Sequence, residues 1–261
     1  MLKTRLIPVL YIKNGLIVRS EGFEYHQNIG NIINQASRYN EWDVDELIYI
    51  DISHQKEYDL RRDDHKIKSY SSIEEIIKQI SKICFMPLTF GGGIRTIEDI
   101  DLRIQNGADK ISINTEALLN IDIVKKASLK YGNQCVVISV DYRIIDNEPV
   151  VFSHYGQKNT GINLLTWIRR CEEAGAGEIF INAIDRDGMA NGYDTETIKK
   201  VAKETSLPII ACGGAGDPYD FVDLASEVKI SGIAAGNIFH FTERSYPRAK
   251  QLLKKSNINV R

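Results

Sequence analysis

Short apolar runs alternate with amphipathic stretches along the whole chain. Strand-length runs fall at 6–11 (LIPVLY), 46–52 (ELIYIDI), 87–90 (PLTF), 110–114 (KISIN), 136–141 (VVISVD), 178–184 (EIFINAI), 208–212 (PIIAC) and 229–235 (KISGIAA). Several lack polar alternation, as expected of parallel strands covered on both faces. Helical patterns lie between them. The segment 71–83 repeats apolar residues at helical period, with Ser71 and Glu74 at capping-box spacing. The segment 96–107 opens at Thr96 and stops at Asn106-Gly107, and further helices are predicted over 194–206 and 243–255. Residues 142–153 read as a hairpin with an Asp-Asn turn, a flap beyond the fifth strand. Eight strand–helix units in one chain predict an α/β protein, a single (β/α)8 TIM barrel over 1–261; a doubly wound open sheet is the alternative.

Two stretches share one grammar. Residues 87–101 (PLTFGGGIRTIEDID) and 208–224 (PIIACGGAGDPYDFVDL) each run from Pro through a strand and glycines into an acidic helix start. Glycines there expose backbone N–H groups beside the positive end of a helix dipole, a setting matched to phosphate. Glycines that only make tight turns would look the same in one copy; two copies suggest a ligand with a phosphate at each end. The pairing extends further. GGGIRTIEDID with GGAGDPYDFVD, and DKISIN with VKISGI, repeat at about 120 residues, and LIPVLYIKNG with VVISVDYRIIDN at about 130. One half-barrel doubled, approximately 1–131 and 132–261, accounts for this. Twofold symmetry then sets Tyr11 and Asp141 on opposite sides of the mouth, where barrel chemistry sits.

Composition narrows the classes. A net charge of -2 on 261 residues leaves no electrostatic footprint for nucleic acid or an anionic membrane. The apolar runs are far too short to span a bilayer. At the start, Pro8 breaks the first run and no small-residue cleavage site follows, so a first strand is read there and not a signal peptide. Cys84, Cys135, Cys171 and Cys212 form no CxxC pair, which fits reduced thiols in a cytoplasmic protein without disulfide or zinc framework. The histidines at 26, 54, 65, 154 and 240 show no ligand spacing, and His240 reads as a packed strand-end residue. Neither metal nor cofactor is expected.

GGGIRTIEDI, GADKISINTEAL, GQKNTGINLLTW, GAGEIFINAIDRDGMANGYDTE, IIACGGAG and the FHF at 239–241 together resemble the cyclase subunit of imidazole glycerol phosphate synthase, nearly end to end. The resemblance implies a doubled (β/α)8 barrel, a lyase or cyclase-type synthase subunit in a heterodimer with a glutaminase (a class I glutamine amidotransferase). Ammonia would pass through the barrel to a bisphosphate substrate. Carried over by position, one phosphate would meet Gly93, Asn114 and Thr115, and the other Gly188, Gly214, Gly236 and Asn237. Asp141 matches one of two catalytic carboxylates and Asp187 a further one near the substrate. Arg5, Glu46, Lys110 and Glu178 match the charged ammonia gate at the opposite face; a surface salt-bridge cluster is the alternative.

The pattern breaks at the mouth. Tyr11 stands where the family has its other catalytic aspartate, and an unperturbed phenol, with a pKa of about 10, is a poor base near neutral pH. Arg19 replaces lysine, Asn182 threonine, and Tyr155 and Cys212 serines. The segment 53–70 is a long, charged loop on the catalytic face, read as a lid, a docking surface for a third amidation enzyme, or a solvated loop. Three functions remain open: a divergent relative serving amidino-sugar formation in surface-polysaccharide synthesis, an authentic cyclase of histidine biosynthesis, or a non-catalytic activator of the glutaminase.

Overall fold

The fold is seen in a computed structural model that describes residues 3–55, 57–58 and 70–261. Among the described residues twelve strands form one sheet: β1 (Arg5–Lys13), β2 (Leu16–Glu21), β3 (Tyr25–Gly30), β4 (Leu47–Asp51), β5 (Leu88–Gly91), β6 (Lys110–Ile113), β7 (Val136–Ile145), β8 (Glu148–Ser153), β9 (Lys158–Asn163), β10 (Glu178–Ala183), β11 (Ile209–Cys212) and β12 (Gly232–Ala235). Eight of them, in the order β1, β4, β5, β6, β7, β10, β11, β12, pair in parallel, and β12 returns to β1. That closure makes a (β/α)8 barrel and removes the open sheet as a reading. The eight strand readings all land on barrel strands.

Alternation along each strand explains the unbroken apolar runs. Ile7, Val9 and Tyr11 of β1 join Ile48, Val137, Phe180, Ile210 and Ala234 inside the barrel, whereas Leu6, Leu10 and Ile12 pack outward against the helices. Both faces are dry, so both need apolar side chains. Trp167, Tyr39, Tyr246 and Phe221 fill the outer layer between sheet and helices.

Helix starts are set by local chemistry. Thr96 caps Ile97–Gln105 in a full capping box with Asp99, and Gly107 continues at φ +115 after the helix ends. The 71–83 helix begins one residue later than its sequence suggests: Ser72, not Ser71, caps Ile73–Ile80, and it accepts from the Glu75 N–H. The reason is competition, since the Glu75 carboxylate takes both the Ser71 N–H and its hydroxyl. Helices Thr195–Glu204 and Ser245–Lys255 lie where expected; Ile32–Glu41, Asp122–Tyr131, Leu164–Glu173 and Pro218–Glu227 complete the ring.

The first and fifth barrel strands both run on into hairpins over the mouth. β7 turns at Asp146 and Asn147, both at positive φ, into β8, as the Asp-Asn pair predicts. β1 turns into β2 and β3, a hairpin with no counterpart in the sequence reading. Most of the 53–70 segment, residues 56 and 59–69, lies outside the described residues. Among the described residues no helix is long and apolar enough to cross a membrane.

Candidate functional site

The barrel floor carries a closed ring of charge. Arg5 opens β1, Glu46 immediately precedes β4, Lys110 opens β6 and Glu178 opens β10. Each cation touches both carboxylates: Arg5 bonds Glu46 and Glu178, and Lys110 Nζ lies 3.0 Å from Glu46 Oε1 and 2.9 Å from Glu178 Oε2. Thr89 Oγ1 donates to Glu46 as well, at 3.1 Å. The glutamates are 2% and 6% exposed at their side chains, so this is no surface cluster. Burial alone would lower the Arg5 pKa, but the charges of Glu178 and Glu46 outweigh it and hold the guanidinium charged. Charges of this kind near a barrel axis survive only when fully paired.

At the other end, a cavity of about 330 Å³ opens over Asp141. Tyr11, Asp141, Gly93, Asn114 and Thr115 all line it, together with Asn182 and Tyr155. Tyr11 on β1 and Asp141 on β7 therefore meet at one site, from strands one and five, and the phenol points into the barrel. Asp141 is 4% exposed. Its Oδ2 accepts from Asn114 Nδ2 at 2.8 Å and its Oδ1 from Asn182 Nδ2 at 3.3 Å. Burial pushes its pKa up to about 7; the two amide bonds oppose that and the Asp187 charge adds to it. Such a carboxyl can both give and take a proton near neutral pH. Tyr11 cannot. Burial first, then the charges of Asp187, Cys212 and Asp141, raise its pKa well above the usual phenol value. Its hydroxyl approaches the Asn182 amide but completes no hydrogen bond with any described residue. Tyr11 is a fixed, neutral hydroxyl in this site.

The two groups of phosphate candidates fare differently. Gly92 and Gly93, at φ +86 and +62, follow β5 and border the cavity. A side chain on Gly92 would lie 1.9 Å from the Asp51 carbonyl, so only glycine fits there. Thr115 lines the same arc, but its Oγ1 already accepts from the His154 N–H at 3.1 Å. Asn114 points at Asp141 as well as lining this arc, so its amide positions the carboxylate. Gly188, Gly214, Gly236 and Asn237 follow β10, β11 and β12 on the far arc, away from the cavity lining. There the β2–β3 hairpin sits on Gly188 and Asn237, while Gly214 packs against Gly192 and Gly236 against the Val9 carbonyl of β1. Asn237 Nδ2 donates to the Ser20 carbonyl at 2.6 Å, and the Gly22 and Phe23 N–H groups donate to the Asp187 carbonyl and carboxylate at 2.7 and 3.2 Å. Asp187 is buried beneath this hairpin, and burial raises its pKa above the usual carboxylate value.

Among the mouth departures, Tyr155, Asn182 and Cys212 are at or near the cavity; the Tyr155 hydroxyl donates to the Ser53 carbonyl at 3.3 Å. Arg19 is not: it lies on the hairpin, paired with Glu21 at 2.6 Å and over the Phe241 ring. His240 is buried near the end of β12, and burial lowers its pKa to about 4. The roles of Asn114 and Asn182 as partners of Asp141 are missed by sequence reasoning. The available signal is that both sit at strand ends facing the mouth.

A closed barrel of eight parallel strands with helices between them, a paired charged floor and a cavity at the opposite mouth is a (β/α)8 barrel. The chain belongs to the histidine biosynthesis protein family, which it matches over residues 5–245. It is 36% identical over its full length to the imidazole glycerol phosphate synthase subunit HisF of Natranaerobius thermophilus, covering all of that relative. It is 37% identical to the subunit of the same name from Hyphomonas neptunium, covering 99% of it, and 35% identical to that of Staphylococcus aureus strain JH9, covering all of it.

Proposed function

We propose that this chain is the cyclase-type barrel subunit of a glutamine-dependent synthase of the imidazole glycerol phosphate synthase type. A glutaminase docks at the floor, ammonia enters through the Arg5–Glu46–Lys110–Glu178 ring, and a phosphorylated substrate reacts over Asp141. The observation that carries this reading is the neutral ring of two cations and two carboxylates across the barrel floor, opposite the reactive mouth. In its closed form the ring plugs the floor, so passage requires one pair to part. Gly93 and Thr115 with the exposed Arg95 beside them would hold one phosphate; Gly188, Gly214, Gly236 and Asn237 would hold the other once the β2–β3 hairpin lifts. Asp141 would serve as both proton acceptor and donor, with Tyr11 as a hydroxyl donor and Asp187 as the second buried carboxyl.

The shared name of the relatives supports the histidine-pathway cyclase above the sugar-amidation relative. Tyr11 is the ground for the second reading, because a phenol of raised pKa stands where the carboxyl opposite Asp141 is expected. The test supplies the phosphoribulosyl-formimino carboxamide ribotide with ammonium and no partner. Turnover at an ordinary rate establishes the cyclase; no turnover, restored by Tyr11→Asp, moves the chain to another acceptor. Mixing with the cognate glutaminase should raise glutamine hydrolysis at least tenfold, and no rise removes the paired-subunit reading.

A further inference from the structure

The two glycine-to-helix stretches align cap for cap and differ sharply at one buried position. Thr96 and Asp217 each start a helix in a full capping box, with Asp99 and Asp220. Seven residues beyond those caps stand Arg103 on Ile97–Gln105 and Leu224 on Pro218–Glu227. Arg103 is 3% exposed and Leu224 1%. Arg103 shares the core face of its helix with Ile100. Leu224 shows that a leucine fills this place in a half-barrel, and burying a guanidinium costs free energy that burying a leucine does not. Packing therefore does not account for the charge. Its hydrogen bonds go to backbone. Arg103 Nη1 donates to the Asp99 carbonyl at 2.8 Å, one turn back on its own helix, and Nη2 donates to the Gly92 carbonyl at 2.6 Å. Nε, also buried, has no partner among the described residues. The charges of Asp99 and Asp51 oppose the effect of burial and favour the charged form. Gly92 is pressed against Asp51 of β4 as well, and Asp51 is anchored by the Tyr58 hydroxyl at 2.8 Å. Strand and helix clamp this glycine between them.

We propose that Arg103 is a positioning residue for the anion arc at Gly93: by holding the Gly92 carbonyl it turns the N–H of the same peptide toward the cavity and strengthens it as a donor. Among the described residues every peptide bond is trans, so the Gly92 carbonyl and the Gly93 N–H point in opposite directions. Gly92 and Gly93 line the cavity and Arg103 does not, so the arginine acts through the peptide and not on a ligand. Flanking φ angles of +86 and +62 belong to residues without a Cβ, and a peptide between two glycines rotates easily unless something holds it. A charged donor holds it, and by drawing density from the carbonyl it polarises the N–H on the far side. The same buried positive charge favours an anion over the arc. The matching arc at Gly214 has a leucine in this place and no such charge.

This rests on the Gly93 arc holding a phosphate, as proposed above, and the test separates the two. The full chain, labelled with nitrogen-15 at glycine, is titrated with inorganic phosphate near neutral pH and at constant ionic strength. Wild type is compared with Arg103→Leu, Arg103→Gln and Arg103→Lys, each checked for cooperative thermal unfolding. In the wild type the Gly93 amide signal should move saturably with phosphate. Leucine copies the other half-barrel, and glutamine keeps an amide donor without the charge. Each should weaken phosphate binding at Gly93 at least tenfold and shift the free Gly93 proton signal upfield, and either one, once folded, carries the test. Lysine keeps the charge and a donor and should stay within about threefold of wild type, a rescue that lost packing would not produce. The Gly214 signal should be alike in all four proteins. Unchanged affinity in a folded leucine or glutamine variant, or a lysine variant as weak as the leucine one, overturns the role of Arg103 and leaves the phosphate reading standing. A wild-type Gly93 signal that phosphate does not move overturns both.

Discussion

The floor and the mouth of the barrel bury carboxylates to the same depth and treat them in opposite ways. Glu46 and Glu178 at the floor are 1% and 5% exposed, and Asp141 at the mouth is 4% exposed. At the floor every carboxylate oxygen meets a cation, and the ring is complete without any guest. At the mouth, among the described residues, the carboxylate is hydrogen-bonded only by neutral amides, and four polar atoms around it (Tyr11 Oη, Ser112 Oγ, Asn114 Oδ1 and Asn182 Oδ1) stay unmatched. Burial by itself does not mark a reactive group. What marks it is burial without electrostatic completion, which lifts the Asp141 pKa to about 7 and leaves hydrogen-bonding capacity for a ligand.

The comparison can be broken most forcefully at the floor. Glu46→Leu leaves Arg5 and Lys110 sharing one carboxylate, and should cost about 3–5 kcal/mol in urea unfolding, the usual loss on opening a buried pair. A cost below about 1 kcal/mol would make the ring no stronger than surface ion pairs.

At the mouth the sign reverses. Because burial raises the folded-state pKa of Asp141, the protonated form is the favoured one. The wild type therefore keeps its stability at low pH and loses some as pH rises through about 7. Asp141→Asn should escape that loss. Its advantage is absent near pH 4, grows as pH rises towards about 7, and levels off above that at an order of 4 kcal/mol for a rise from 3.8 to about 7. Ammonia-driven turnover should fall by about a hundredfold or more in the same variant. A stability curve parallel to that of the wild type across pH 5–9 would show Asp141 to be solvated.

The two glycine arcs sharpen the contrast on a smaller scale. A methyl on Gly214, at φ +103, would stand 2.0 Å from the Gly192 carbonyl, so Gly214→Ala should cost about 2–3 kcal/mol in unfolding free energy. Gly93 sits at φ +62 with its nearest neighbour 3.7 Å away, and Gly93→Ala should cost about 1–2 kcal/mol. Equal losses would mean that both arcs are packed alike. Smallest of all is Tyr11→Phe, which removes an unpartnered buried hydroxyl and should change stability by less than about 1 kcal/mol. The pH profile of turnover should keep its limb near 7, since Asp141 and not the phenol titrates there. A lost limb would hand that proton to Tyr11.

The amino-acid order alone determined the eight strands, most helix starts, the Asp146-Asn147 turn and the placing of Tyr11 opposite Asp141. These follow from period, capping and turn chemistry, which act over a few residues, and from a long repeat that topology turns into symmetry. Helix 71–83 shows the grain of that reading: serine and glutamate are both right, but which serine caps depends on where the Glu75 side chain goes. Only the tertiary structure decided that β2–β3 folds down over Gly188 and Asn237, that Arg19 leaves the cavity, and that Asn114 and Asn182 converge on Asp141 from β6 and β10. Apart from the Arg19–Glu21 pair, those contacts join residues tens to hundreds of positions apart, and no local pattern encodes them. The titration of Asp141 belongs with them, because it arises from the water that the closed barrel excludes and the charges it withholds.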